Sequence, residues 1–388
     1  MTRADRALLF PPVIQIPRVS PPFTLKKQQM NIVHPSHAPH SVPGLHAFPD
    51  RLHVVTAIAN PSRFLSRYRL YRAFEKMVAD SGATLWTVEA AFGGRPFEVT
   101  TAGNPWHVQV RSSDELWYKE NLLNIGISRI PEDARYIAVV DADFLFTRPD
   151  WAQETLQQLQ HHPVVQMFSS VTYLDPVNEP INTRVGFAER WLRGEEFQTQ
   201  KGVVRNPIFH HPRKHSFVAS GDYVDEGEKI VASKPSSEWG PPGGAWAYRR
   251  EALDEVGGLI DFCILGSADW FMAAGKAGFM ADAIPAAYSA PFAAQLIAWG
   301  NRAEKAFRKD IGVVNGGAIH YWHGKMKERR YGERESILKA CAFNPLTDLR
   351  KDSQGLFRLR YDGSDRHVRL RDDIRAYFRS RNEDSIDS

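Results

Sequence analysis

Apolar positions recur in an ordered way only from residue 52 onward. LHVVTAIA (52–59) is a short apolar run bounded by Asn60 and Pro61, the pattern of a buried strand. Ser62 is placed to cap a following helix, because Phe64, Tyr68, Tyr71, Phe74 and Val78 recur every three or four residues. ATLWTVEAAF (83–92) predicts a second strand, and strand, helix, strand at this length predicts a βαβ unit with a parallel sheet. In SSDELWYKENLLNIGISRI (112–130) a capping box from Ser112 to Glu115 predicts another helix, closed by Pro131. YIAVVDADFLF (136–146) follows. Its Ile137–Val140 stretch reads as a central parallel strand buried on both faces, and Asp150 with Gln153 predicts the next helix start.

Further on, GPPGGAWAYRREALDEVGG (240–258) predicts a Gly-Gly turn, a short strand and a helix stopped by Gly257. LGSADWFMAAGKAG (265–278) places Asp269 at the start of one more helical pattern. Residues 1–50 are rich in proline and histidine without a period and predict an extended or disordered arm. The first 29 residues offer so little foldable pattern that Met30 is a candidate start of translation. Near the end, FRLRYDGSDRHVRLRDDIRAYFRSR (357–381) has an Asp-Gly turn at Asp362 and Gly363, which predicts a hairpin followed by a helix. The expected organisation is therefore an arm (1–50), an α/β domain (51–335) and a basic C-terminal extension (336–388).

Composition narrows the class. The chain has 388 residues, 43% apolar and 24% charged, enough for one large α/β domain or two ordinary ones. No run approaches the about 18 apolar residues of a membrane span, and Pro11 and Pro12 break the N-terminal apolar patch before it can serve as a signal peptide. Two cysteines, Cys263 and Cys341, are too few for a disulfide framework, so a reducing compartment, the cytoplasm, is expected. Net charge is only +4, but residues 350–381 hold ten Lys or Arg against five Asp. Such a stripe suits either a phosphate backbone or a solvated surface.

The carboxylates Asp141 and Asp143 close the central strand, where open parallel sheets bind ligands. With Ala142 between them, strand geometry points both the same way. Hard cations such as Mg²⁺ or Mn²⁺ take oxygen ligands of this kind together with substrate phosphates, although a polar strand end has the same sequence. Gly243 and Gly244 would allow close backbone approach to a ligand. Asp269 reads either as a general base or as a helix cap. In GGAIHYWHGKMKERRYGER (316–334), His320 and His323 precede Lys325, Lys327, Arg329 and Arg330, a metal and phosphate pattern in which imidazole favours Mn²⁺. His34, His37 and His40 have metal-like spacing, with nothing nearby to hold a rigid site.

Taken in order, LWYKENLLNIGISRI, YIAVVDADFLF, GGAWAYRREALDEVGGL, LGSADW and HYWHG resemble the GT-A glycosyltransferases over residues 52–335, most closely the β-1,4-galactosyltransferase type and related bacterial and phage enzymes. The resemblance implies a GT-A, Rossmann-like α/β domain with a mostly parallel sheet. It implies Asp143, His323 and His320 as ligands to Mn²⁺ or Mg²⁺, with His320 standing where those enzymes have Met. It also implies Asp141 near the nucleotide ribose, and Arg63, Arg67 and Lys119 lining the nucleotide pocket. Gly243, Gly244, Trp246 and Lys325 complete the expected nucleotide-sugar site, and Asp269 matches the catalytic base of a Gly-Gly-Glu-Asp-Asp segment. That segment here reads Gly266-Ser267-Ala268-Asp269-Trp270, so the identities of donor sugar and acceptor do not transfer.

The expected activity is metal-dependent transfer of a sugar from a nucleotide donor, a UDP-sugar first, with inversion. The acceptor is a glycan, a protein, a small molecule or a hydroxylated DNA base. A nucleotidyltransferase, or a carbohydrate- or nucleic-acid-binding protein without catalysis, are the competing readings, and no Gly-rich, lysine-bearing phosphate loop follows the first strand. Oligomeric state is left open.

Overall fold

The computed structural model describes residues 51–199, 201–206, 239–324, 331–381 and 383–384. The expectations for residues 1–50, including Met30, His34, His37 and His40, and for Lys325, Lys327, Arg329 and Arg330 lie outside the described residues.

The chain runs β1 (His53–Ala59), α1 (Leu65–Ser81), β2 (Thr84–Phe92), β3 (His107–Ser112), α2 (Lys119–Ile127), β4 (Tyr136–Val140), β5 (Phe144–Phe146) and α3 (Trp151–His161). It continues through β6 (Val164–Gln166), β7 (Ser170–Leu174), β8 (Pro180–Val185), α4 (Phe187–Leu192), β9 (Phe197–Thr199) and β10 (Gly202–Val204). Then come β11 (Ala245–Arg249), α5 (Arg250–Val256), α6 (Ala268–Lys276), α7 (Met280–Ala283), α8 (Ala290–Phe307), β12 (Ile311–Val313) and β13 (Gly317–His320). Last are α9 (Tyr331–Ala340), α10 (Pro345–Asp348), β14 (Leu349–Lys351), β15 (Phe357–Leu359) and α11 (Asp365–Ser380).

Seven strands form the central sheet in the order β12-β6-β11-β4-β1-β2-β3. Every pairing is parallel except the two made by β11, so the mixed α/β architecture with a mostly parallel sheet is present as expected. Central β4 is covered on both faces: Ile137 and Val139 belong to one apolar cluster, Ala138 and Val140 to the other. That double burial is why the strand reads as an unbroken apolar run. α2 lies close against β1 and β2 because Gly126 has no side chain. A Cβ there would sit 2.6 Å from Val55 Cγ1 and 2.7 Å from Val88 Cγ2.

A second sheet, β5-β13-β7-β8, sits beyond the carboxyl end of β4. Its β13 pairs antiparallel with β5, setting His320 opposite Phe144. The residue just before Phe144 is Asp143, so this pairing is what joins the histidine loop to the carboxylates.

Helix starts depart from the local pattern. α1 begins at Leu65, and its N-terminus is fastened by Asn60, whose Oδ1 accepts from the Phe64 amide at 2.9 Å, and by Asp384, rather than by Ser62. α2 begins at Lys119. Ser112 instead closes β3, where its hydroxyl bonds the Tyr118 hydroxyl at 2.8 Å, so no capping box forms with Glu115. Asp150 does stand at the N-terminus of α3, but its carboxylate is taken by Arg148 at 2.7 and 2.8 Å. The stop at Gly257 is as expected, with φ of 81°.

Residues 336–388 carry a hairpin and a helix, but the hairpin turns at 352–355, while Asp362 and Gly363 lead into the Ser364 cap of α11. Leu338, Phe343, Leu356, Leu370, Ile374 and Phe378 enter the same apolar cluster as α2 and α8, and the described residues form one compact unit. The arginines of this segment are largely committed. Arg366 binds Asp348 at 2.6 Å, Arg358 binds Asp352 at 2.8 Å, and Arg369, Arg371 and Arg379 pair with Asp373, Asp372 and Glu115. Both cysteines are free and buried, and no described helix is long and apolar enough to cross a membrane.

Candidate active site

The crevice begins where β4 ends. The Asp141 amide donates to the Gly244 carbonyl at 2.8 Å, tying the strand end to the turn before β11. The chain then turns tightly, with the Phe144 amide on the Asp141 carbonyl at 3.1 Å, and the two carboxylates part company. Asp141 faces Lys119 Nζ, the first residue of α2, at 2.7 Å. Asp143 faces the histidines: His323 Nε2 stands 3.2 Å from Asp143 Oδ2 and 3.3 Å from His320 Nε2. His320 is held edge-on by Phe144 and against Tyr173, with ring centroids 5.1 and 5.0 Å away.

One donor atom from each of Asp143, His320 and His323 falls within 4.8 Å of the others. Two imidazole nitrogens and one carboxylate oxygen, with room for further ligands on the cleft side, form a donor set that fits Mn²⁺ better than Mg²⁺. The three come from two segments that the β5–β13 pairing brings together.

Asp269 closes the crevice from across. It lies in the first turn of α6, whose N-cap is Ser267 at φ 74°, and its Oδ1 accepts from the Trp270 amide of that turn at 2.9 Å, leaving Oδ2 toward Gly243. A Cβ on Gly243 would collide with the Asp269 carboxylate, and one on Gly244 with the Phe144 ring. The glycine pair therefore serves the packing of two site residues against the backbone.

These groups share one cleft of about 810 Å³, the size of a small-molecule site. Asp141, Asp143, Lys119, Arg67, Gly243, Gly244, Asp269, His320 and His323 all line it. Two expected residues do not. Arg63 adopts a left-handed backbone, φ 60°, and turns outward to Glu98 at 3.7 Å, with its side chain 61% exposed. Trp246 is buried in the core on β11, its Nε1 donating to the Pro242 carbonyl at 2.8 Å and its ring covered by Lys276 Nζ at 3.7 Å. Strand alternation sends it to the packed face of the sheet.

The cleft also holds residues that sequence reasoning missed. Glu120 is buried beside Lys119 and accepts from Trp117 Nε1 at 3.1 Å. Burial pushes its pKa up to about 7; Lys119 opposes that rise and Asp269 adds to it. Its signal was a single acid inside the apolar stretch of α2. For Lys119, burial works against the charge, but Asp141, Glu120 and Asp269 together outweigh it and the pKa is raised. Trp239 and Trp270 meet edge to face, centroids 4.2 Å apart, and form an aromatic wall backed by Phe197 and Phe279. Arg381 and Glu383 line the cleft from the far end of the chain, with no local pattern to announce them.

No protein-family model and no curated protein matches the sequence. Among solved structures, the catalytic domain of Drosophila β1,4-galactosyltransferase 7 with xylobiose aligns at 10% identity over 69% of this chain and 67% of that one, TM-score 0.29. A mutant of that enzyme with manganese, UDP-Gal and xylobiose aligns over the same shares at 10% identity and TM-score 0.31. A Desulfovibrio desulfuricans protein described as a nucleotide-diphospho-sugar transferase aligns at 10% identity over 84% of this chain and 97% of that one, TM-score 0.27. Likenesses this distant assign neither activity nor ligand to this chain.

Proposed function

We propose that the protein is a metal-dependent glycosyltransferase that moves a sugar from a nucleotide-sugar donor, a UDP-sugar first, to an acceptor hydroxyl. The observation that carries this reading is the convergence of Asp143, His320 and His323 in the same cleft as Asp269. Asp143, His320 and His323 would hold Mn²⁺ or Mg²⁺, which when bound neutralises charge on a leaving diphosphate.

The chain's own residues do the rest. Asp269 accepts the proton of the attacking hydroxyl as the bond from the anomeric carbon to the diphosphate breaks, and a single displacement of this kind inverts the centre. Lys119 holds Asp141 against the strand end, and Gly243 lets Asp269 reach the reacting face. Trp239 and Trp270 in the same cleft offer ring faces suited to a saccharide, which supports a glycan acceptor.

The test is nucleoside-diphosphate release from a panel of nucleotide sugars with Mn²⁺, with Mg²⁺ and with chelator, using wild type, Asp143→Ala and Asp269→Asn. Release from one donor that needs metal and both carboxylates is expected. Full turnover in Asp269→Asn would remove the base assignment. Release of pyrophosphate from a nucleoside triphosphate would replace the proposal with a nucleotidyltransferase.

A further inference from the structure

The end of the chain returns to the beginning of the sheet. Just past α11, Glu383 is only 3% exposed, and its carboxylate takes a two-pronged grip from Arg67, at 2.6 Å from Nε and 2.7 Å from Nη2. The third Arg67 bond, from Nη1 to the Ala59 carbonyl at 2.7 Å, reaches the last residue of β1. Asp384, the next residue, accepts from the Leu65 and Ser66 amides at 2.8 and 3.0 Å and so anchors the first turn of α1. The tail thereby fixes the β1 end, the α1 start and the Arg67 guanidinium, which together border the crevice where such sheets bind nucleotides.

A second guanidinium stands behind the first. Arg381 Nη2 lies 2.9 Å from Glu383, while its Nε and Nη1 are buried with no hydrogen-bond partner among the described residues. Arg381 is 6% exposed, packs 5.5 Å over the Trp117 ring and lines the same cleft as Asp143. Both guanidiniums bind Glu383 in a poorly hydrated corner, and Asp143 also acts on Arg67. A surplus buried positive charge is unfavourable unless something anionic meets it. The same low hydration favours keeping the Arg67–Glu383 pair intact.

We infer that Glu383 is a positioning residue for the nucleotide end of the cleft: it holds Arg67, with Arg381 behind it, so that their surplus positive charge faces an anionic group of a nucleoside diphosphate. This rests on the proposed nucleotide-sugar donor. Glu383 itself touches Arg67 and Arg381 and acts through them.

The experiment uses the full chain and uridine diphosphate with Mn²⁺ as the probe, measuring affinity by calorimetry and donor KM and kcat by product release. Glu383→Gln is expected to weaken uridine diphosphate about tenfold and to raise donor KM with much less change in kcat. In the wild type, the nucleotide should slow hydrogen exchange at the amides of residues 65, 66, 383 and 384. Binding by Glu383→Gln within about twofold of wild type, a loss confined to kcat with donor KM unchanged, or unchanged exchange at those amides would each overturn the inference. Absence of nucleoside-diphosphate binding by the wild type would instead remove the donor reading, and the inference with it.

Discussion

At the scale of single residues, the site is a division of labour between two carboxylates that the sequence presents as a matched pair. Asp141 is neutralised by Lys119, while Asp143 is turned to the imidazoles of His320 and His323. Asp143→Ala should therefore lower Mn²⁺ affinity about tenfold or more, read by isothermal titration, because an all-imidazole remnant lacks the oxygen ligand this ion prefers. Unaltered affinity would take Asp143 out of the ligand set. Glu120 has a different consequence. Its folded pKa of about 7 lies above the 4.5 of a free glutamate, so the folded chain keeps the extra proton between those values. Stability then falls as pH rises through that window, by on the order of 3 kcal/mol at most. Glu120→Gln should flatten this slope in denaturant titrations between pH 4.5 and 7; an unchanged slope would show that Glu120 is not its source.

At the scale of elements, the position of α2 sets both Lys119 and Glu120, and Gly126 sets α2. The stiff, branched Val55 and Val88 side chains cannot easily yield to a Cβ placed 2.6 and 2.7 Å away. Gly126→Ala should thus lose about 1–3 kcal/mol in a urea melt and lift Lys119 from Asp141, reducing turnover with it. Stability within 0.5 kcal/mol of wild type, a surface-like value, would mean the helix shifts freely. Elements such as β1, β2 and β4 were legible in the sequence because strands covered on both faces are mostly apolar, with Thr56, Thr87 and Glu89 the buried exceptions in β1 and β2. Helix starts were not, since α1 is capped by Asp384, 319 positions beyond Leu65. The histidine and carboxylate motifs were legible one by one, and only the fold brings them into one cleft. Arg63 and Arg67 looked equivalent on paper, and only the left-handed turn at Arg63 separates them. Trp246 illustrates the same limit, because its period-2 position says which face of β11 it occupies but not which face meets the cleft.

At the scale of the whole molecule, the sequence suggests an α/β domain followed by a basic C-terminal extension, and the packing joins the two through one apolar cluster. Leu338, Leu356, Leu370 and Ile374 are all at most 5% exposed and lie in one apolar cluster with Leu122, Leu123 and Phe292. Each buried aliphatic side chain of this kind is worth about 1.5–3 kcal/mol, so losing even four of them approaches the whole stability of a typical domain. The extension also supplies Arg381 and Glu383 to the cleft and Asp384 to α1, so its removal would strip one wall from the site as well as opening the core. A chain ending at residue 335 should consequently lack the near-ultraviolet dichroism of packed aromatic side chains and bind the hydrophobic dye ANS, rather than persist as a smaller active enzyme. A folded, cooperatively melting product would show that the first part of the chain holds together by itself, and the C-terminal residues would then be an adornment of the fold instead of part of its core.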